Sequence, residues 1–282
     1  MRLIDLSTAV DAGQWEADPV THRAMSPKEG AEHMCSELEK HLGLRLDPSA
    51  LPDGEFLNND TYTLTVHTGT HVDAPAHYGS RTAYGPPRTI DQMPLEWFCR
   101  PGVVLDLRDQ PTGAVAADVL GRALDRIGYQ IQPLDIVLLH TGASDRVGTQ
   151  RYFTDFVGLD GAAVRFLLDR GVRVIGTDAF SLDAPFPDIV RRYTDTGDQG
   201  VLWPAHLAGR EREYCQIERL ANLAALPAPT GFTVTVRDLR AYTGAGWLVA
   251  LCGDMQTMPG YGRTPAAHAV DIDENGTTVG LF

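Results

Sequence analysis

The stretch from Thr61 to Tyr78, TYTLTVHTGTHVDAPAHY, constrains this chain more than any other. It carries three of the nine histidines, His67, His71 and His77, together with Asp73. Tyr62, Leu64 and Val66 alternate with Thr61, Thr63 and Thr65, the period of two that marks a half-buried strand. The four polar residues all fall on odd positions and so continue the threonine face. A helix is a poor alternative, because Gly69 and Pro75 would break it and Asp73 would leave the face of His67 and His71. A straight strand fails as well. At about 3.3 Å per residue it would hold His67 and His71 roughly 13 Å apart, too far for two imidazoles that share a metal at about 2 Å each. Gly69 is the natural place for a bend, since a glycine inside a strand often marks a bulge or a close backbone approach. The stretch is therefore predicted to be a metal-binding strand that bends, with His77 as a further polar group at its end.

The rest of the chain sets the context for that site. Its 282 residues, 43% of them apolar and 22% charged, are ordinary for a soluble globular protein. A formal net charge of -13 argues against binding to nucleic acid or to anionic membranes, both of which need basic surface. Cys35, Cys99, Cys215 and Cys252 lie far apart with no CxxC, so neither a disulfide framework nor a thiolate zinc site is indicated. No secretion signal opens the sequence, and no run reaches the roughly 18 apolar residues of a membrane span. The expectation is a soluble, cytoplasmic, acidic protein.

In chain order, Arg2–Ser7 reads as a short opening strand. Residues 8–60 are weakly patterned, with helix formers over Pro27–Leu44 and an apolar stripe at Met34, Leu38 and Leu42; a segment this long is a lid over a site or an arm onto a partner subunit. Strands are predicted at Gly102–Leu107, Asp135–His140 and Val172–Gly176. Helices are predicted at Ala117–Ile127 and from an Asp160 N-cap to Arg170, ended by Gly171. Strand, helix, strand, helix, strand is the pattern of an α/β domain. Asp178, Ser181 and Asp183 fall where the last of these strands ends, where α/β proteins place functional loops. A helix is predicted around Glu218–Leu223, a final hairpin from residues 231–237 and 247–251, and a loop-like tail over 253–282 with a short strand near Val270. No repeat or linker is evident, so one domain over 1–282 is expected.

HTGTHVDAPAH resembles the HxGTHxDxPxH signature of the cyclase family, whose members include bacterial kynurenine formamidases and isatin hydrolases. IDLS at the start, GVRVIGTDAFSLD, and HLAGREREYCQIERLANL, in which a Glu follows a His by twelve residues, resemble further motifs of the same family. The likeness covers roughly residues 1–7 and 61–237. It implies an α/β fold of the kynurenine formamidase-like swivelling β/β/α type, a barrel-like central sheet flanked by helices, in homodimers or larger homo-oligomers. It also implies that His67, His71 and Asp73 bind one metal, that Asp73 bridges to a second held by His206 and Glu218, and that His77 is the catalytic histidine. Imidazole and carboxylate ligands suit Zn²⁺ or Mn²⁺, as one or two ions. Asp178, Ser181 and Asp183 are expected to support the ligands through hydrogen bonds. Trp203, Tyr214, Phe180 and Phe186 are candidates for an aromatic pocket.

Two reactions use such a site. In one, an enolisable ketone of an aromatic polyketide is polarised and His77 removes a proton, closing a ring. In the other, a formamide or lactam carbonyl is hydrolysed and His77 protonates the leaving nitrogen. The long segment at 25–60, the tail after about residue 252 and WPAH around His206 set this chain apart from the formamidases. They favour ring closure in aromatic polyketide biosynthesis, with arylformamidase or isatin hydrolase chemistry as the alternative. In either case the substrate is a small, aromatic molecule.

Overall fold

The computed structural model describes residues 2–236 and, beyond them, the backbone of four short strands. The chain starts along the main sheet and not within it. Leu6 is buried and its carbonyl accepts from the Ala221 N–H at 2.8 Å, but only Ser7 makes a strand-type bridge, to Leu220. The opening strand expected over Arg2–Ser7 is thus a single bridge. An irregular segment leads to β1 (Thr21–Ala24), α1 (Pro27–Leu42) and β2 (Asp60–Thr63).

β1 and β2 form an antiparallel ribbon in which every residue is exposed. This corrects the half-buried strand predicted before the histidines. The alternation is present, but neither face of the ribbon is covered, and Tyr62 and Val66 are 45% and 48% exposed. The Ser26 hydroxyl accepts from the Glu29 N–H while the Glu29 carboxylate accepts from the Ser26 N–H, so α1 opens on a reciprocal cap. The helix turns Gly30, Ala31 and Cys35 inward, whereas Leu42, expected on its apolar stripe, is exposed. A Cβ on Gly30 would fall 2.2 Å from the Leu57 carbonyl oxygen, so only glycine lets the helix lie this close to that backbone.

The metal stretch continues as β3 (His71–Asp73) and a 3-10 turn, Pro75–Tyr78. Then follow β4 (Cys99–Asp106), β5 (Gly113–Val115), α2 (Ala117–Ile127), β6 (Ile136–His140), α3 (Gln150–Thr154), β7 (Val157–Leu159), α4 (Gly161–Leu168) and β8 (Val174–Thr177). The chain goes on through α5 (Phe186–Thr196), α6 (Pro204–Ala208), β9 (Cys215–Glu218) and β10 (Phe232–Thr235). Past these, β11 (Asp238–Tyr242) pairs with β12 (Trp247–Leu251), and β13 (Asp271–Ile272) with β14 (Thr278–Val279).

Six strands form the central sheet in the order β10-β4-β6-β8-β9-β3. β4, β6, β8 and β9 run parallel, and β10 and β3 close the two sides antiparallel. The fold is mixed α/β with helices flanking the sheet, as expected, but the ladder is open among the described residues: no pairing joins β10 to β3 as a barrel would require. The parallel strands read as continuous apolar runs because both faces are covered. Val103, Leu105, Val137, Leu139 and Ile175 pack against Leu120, Leu124, Val164 and Leu167 of α2 and α4. The alternate residues Val104, Ile136, Leu138, Val174 and Ile217 meet Leu6, Phe98, Leu220 and Leu223 on the other face. Each such side chain contributes roughly 1.5–3 kcal/mol on burial.

Two expectations near the C-terminus fail. Glu218 ends a strand and not a helix: Ile217, Leu220 and Leu223 have helical spacing, but Cys215–Glu218 are all buried and fill the gap between β8 and β3, where pairing on both sides imposes the strand. Residues 232–235 pair with β4 and not with 247–251, which take Asp238–Tyr242 as their partner. Gly102 permits this, because the Phe232 ring and Val234 occupy the space a Cβ would need. The short strand expected near Val270 lies at Asp271–Ile272.

Candidate metal centre

Strand pairing brings distant residues together. β3 lies antiparallel to β9 with His71 directly opposite Glu218. Between β2 and β3 the chain turns through residues 65–70, and Gly69 sits there at φ +67°, where a side chain is disfavoured, so the bend falls at the predicted residue. His77 stands on the 3-10 turn after β3, and His206 in the middle of the short helix α6.

Their polar atoms converge. His67 Nδ1 lies 3.1 Å from His71 Nε2, and these atoms are 3.6 and 3.7 Å from Asp73 Oδ1. His71 Nε2 is 3.7 Å from Glu218 Oε2. The other carboxylate oxygen, Asp73 Oδ2, is 3.9 Å from both His77 Nε2 and His206 Nε2, and His206 Nε2 is 3.8 Å from Glu218 Oε1. Donors bound at about 2 Å to one tetrahedral ion lie roughly 3.3 Å from one another, close to this spacing. Asp73 faces His67 and His71 with one oxygen and His77 and His206 with the other, the arrangement of a bridging carboxylate.

The donor set fits a divalent metal. Asp73 Oδ2 is buried with no hydrogen-bond partner, an expensive condition for a carboxylate unless a cation faces it. The supporting bonds fix the rings. The Gly69 carbonyl accepts from His71 Nδ1 at 3.0 Å, and Asp183 Oδ2 accepts from His206 Nδ1 at 2.5 Å, which leaves each Nε2 facing the centre. Asp183 also accepts from the Ala205 and His206 N–H groups, and Glu218 Oε1 accepts from the Leu182 N–H at 2.8 Å. The expected support thus comes from Asp183. Asp178 instead caps the loop at Thr141–Ser144, with no bond to a candidate ligand.

Burial drives His71 down to about 3, and burial, then His206 and His67, take His77 down to about 4. Both are neutral at pH 7, the form that binds metal or accepts a proton. Burial and then the Glu218 charge push Asp73 well above the usual carboxylate range, and burial raises Glu218. Burial opposes charge on His206 too, but the Asp183 hydrogen bond and the carboxylates of Glu218, Asp183 and Asp73 outweigh it and lift the ring to about 9. The metal-free centre at pH 7 therefore keeps a proton on His206. Its raised value stabilises the metal-free fold below about pH 6.5 and is lost as pH rises through 9; the lowered value of His71 is a cost that grows as pH falls from 6.5 towards 3. Metal affinity is expected to increase between pH 7 and about 9, with a proton released on binding. Calorimetric titration of Zn²⁺ into the metal-free protein in buffers of different ionisation enthalpy checks this; an apparent enthalpy independent of buffer would refute it.

Phe153, Phe180, Phe186 and Trp203 meet edge to face in sequence, with centroids 4.3, 6.1 and 5.4 Å apart, and lead to the helix of His206. Tyr214, grouped with them in the sequence, is instead wholly buried and stacked on Tyr78 at 5.4 Å. Sequence reasoning missed Arg219 and Glu16. Arg219 is buried beside Glu218, its Nη1 donates to the His67 carbonyl at 2.9 Å and its Nη2 to the Glu16 carboxylate. Nothing in the pattern around either residue distinguishes it from a surface charge.

Comparison with known proteins gives two results. The model of the Cyclase family matches residues 4–184, more than half of the chain. Isatin hydrolase A from Labrenzia aggregata, solved with benzyl benzoate, superposes with a TM-score of 0.63 at 22% identity, covering 89% of this chain and 93% of that one. Isatin hydrolase A from Ralstonia solanacearum gives 0.64 at 23%, covering 89% and 90%. A structure described as a potential metal-dependent hydrolase with cyclase activity gives 0.53 at 19%, covering 83% and 87%. The second result concerns the other end. The model of formate–tetrahydrofolate ligase matches residues 220–282. The ligase of Cutibacterium acnes is 62% identical over 55 residues, and that of Saccharopolyspora erythraea 59% over 56, in each case 20% of this chain and 10% of the ligase. The chain thus spans about a tenth of the length of these curated relatives. The ligase-like stretch contains β10 and the buried Leu220, Leu223 and Val234, while all six residues of the candidate centre precede it. By the match over residues 4–184 and the fold around the histidines, the chain belongs to the Cyclase family.

Proposed function

We propose that this protein is a metal-dependent hydrolase that cleaves the C–N bond of an amide whose nitrogen is attached to an aromatic ring, with a lactam of the isatin type as the model substrate. The observation that carries the reading is the convergence of His67, His71, Asp73, His206 and Glu218 around a space that His77 also faces. Zn²⁺ or Mn²⁺ held there would polarise a carbonyl and ease deprotonation of water. His77 is 38% exposed on its side chain and neutral at pH 7, so it accepts a proton from the attacking water and returns it to the leaving nitrogen. The half-exposed rings of Phe180, Phe186 and Trp203 offer an aromatic substrate a face to lie on.

The second reading, ring closure on an aromatic polyketide, uses the same centre, with His77 removing a proton next to a polarised ketone. Its support in the sequence is the extended layout, which does not separate this chain from isatin hydrolases that cover 89% of it. Hydrolysis of isatin and of N-formylkynurenine by Zn²⁺- or Mn²⁺-loaded protein tests the preference. Turnover abolished by a chelator supports the hydrolase. A fully metallated protein that hydrolyses neither overturns it and moves the chemistry to ring closure.

We also propose a homodimer or larger homo-oligomer built on the arm. Leu42, Leu44 and Leu57 are 65%, 57% and 74% exposed and Tyr62 lies on the uncovered ribbon, an apolar surface that a second copy would bury. Leu44→Asp combined with Leu57→Asp is expected to lower the mass found by light scattering to that of a single chain. An unchanged mass would place the contact elsewhere.

A further inference from the structure

Residues 9–19 form no helix or strand, and of these residues only Glu16 is not exposed. Their inward contacts are few and specific. Val10 lies against Gly69, where its Cγ2 would sit 2.9 Å from an added Cβ, and Gln14 lies against Gly148. Trp15 meets Phe153 edge to face at 6.3 Å, which adds it to the row of rings that ends at Trp203. The Glu16 carboxylate pairs with the guanidinium of Arg219.

Arg219 is fixed from every side. It holds φ +63°, an uncommon conformation for a residue other than glycine. Its N–H donates to the Ala179 carbonyl at 3.0 Å, and its own carbonyl accepts from the Thr8 and Thr70 hydroxyls at 2.7 and 2.6 Å. Its guanidinium carbon stands 5.5 Å from the ring centroids of Tyr152 and Phe180. Nη1 holds the carbonyl of His67, Nη2 holds Glu16, and Nε, also buried, has no partner. The side chains of Glu16 and Arg219 are 14% and 2% exposed, so breaking the pair leaves a charge uncompensated out of water. An irregular segment that buries so little else has few other contacts to keep it closed.

We propose that residues 9–19 are a strap across the metal centre, latched by Glu16 to Arg219, and that Arg219 is a positioning residue that transmits closure to His67. The catalytic meaning of the strap rests on the proposed metal-dependent function; its mechanics do not.

The test is Glu16→Gln, which keeps the shape of the side chain and removes its charge. Hydrogen exchange is followed in the metal-free protein, and release of bound Zn²⁺ to a chelator in the loaded protein. The expected result is exchange in residues 9–19 about tenfold faster, with β4, β6 and β8 unchanged, and Zn²⁺ bound at full stoichiometry but released about tenfold faster. Arg219→Lys keeps the charge but cannot hold Glu16 and the His67 carbonyl with one fork, and is expected to loosen residues 65–70 as well. Unchanged exchange in residues 9–19 of Glu16→Gln overturns the proposal, whether or not Arg219→Lys folds. A parent protein that binds no Zn²⁺ would sink the metal reading while exchange still decides the latch.

Discussion

Asp73→Ala is expected to empty the metal centre and, in the same protein, to leave the metal-free fold no less stable. Asp73 sets one oxygen towards His67 and His71 and the other towards His77 and His206, more of the candidate ligands than Glu218 faces, so its loss is more damaging than loss of any single histidine. Without metal, however, its carboxylate is a buried group with one oxygen unpartnered, raised by burial and by the Glu218 charge. Removing it relieves that cost. The parent should gain about 4 kcal/mol of stability from a metal present at roughly a thousand times its dissociation constant, and Asp73→Ala should gain almost none. Metal analysis together with thermal unfolding, with and without Zn²⁺, reads both halves. Full stoichiometry in Asp73→Ala, or equal stabilisation by Zn²⁺ in the two proteins, would remove Asp73 from the centre.

The second large effect concerns turnover. His77→Ala is expected to retain most of the metal and lose about 10²- to 10⁴-fold in kcat, the usual worth of a positioned acid or base. His77 is the most exposed of the candidate residues, it stands on the turn after β3 and not on a paired strand, and it is neutral at pH 7. Those properties suit proton transfer at the mouth of a site. His71, 5% exposed on its side chain and fixed by the Gly69 carbonyl, suits a ligand. Metal content and kcat measured on one preparation separate the roles. A His77→Ala protein that loses its metal would make His77 a ligand, and one with unchanged kcat would leave it no part in the chemistry.

Much of this centre is legible in the sequence because it is local. His67, His71, Asp73 and His77 fall within eleven residues, and Gly69 marks the bend between them. The central strands are legible for a related reason, since a strand covered on both faces must be apolar throughout. Glu218 is not legible from its own surroundings. CQIERL can pass for part of a helix, and what makes it a strand is the gap between β8 and β3 that it fills. The family resemblance supplies Glu218 where local pattern does not. The ribbon fails in the opposite sense: its alternation announces a buried face, and solvent covers both. Arg219 and Glu16 lie beyond either kind of reading, because an ion pair between residues so far apart in the chain leaves no spacing to find.

The position of β10 has a consequence for anyone who would shorten this protein. Every candidate ligand lies at or before Glu218, and the ligase-like stretch begins at residue 220, so a cut between them looks like a clean way to isolate the catalytic part. It would not be clean. β10 covers the outer edge of β4, and Val104 N–H also donates to the Pro229 carbonyl at 2.8 Å. Ending the chain at residue 219 would bare that edge along with apolar surface that Leu220, Leu223 and Val234 cover. Exposed strand edges pair with other chains, so the shortened protein would be lost to aggregation with its proposed ligands still in the sequence.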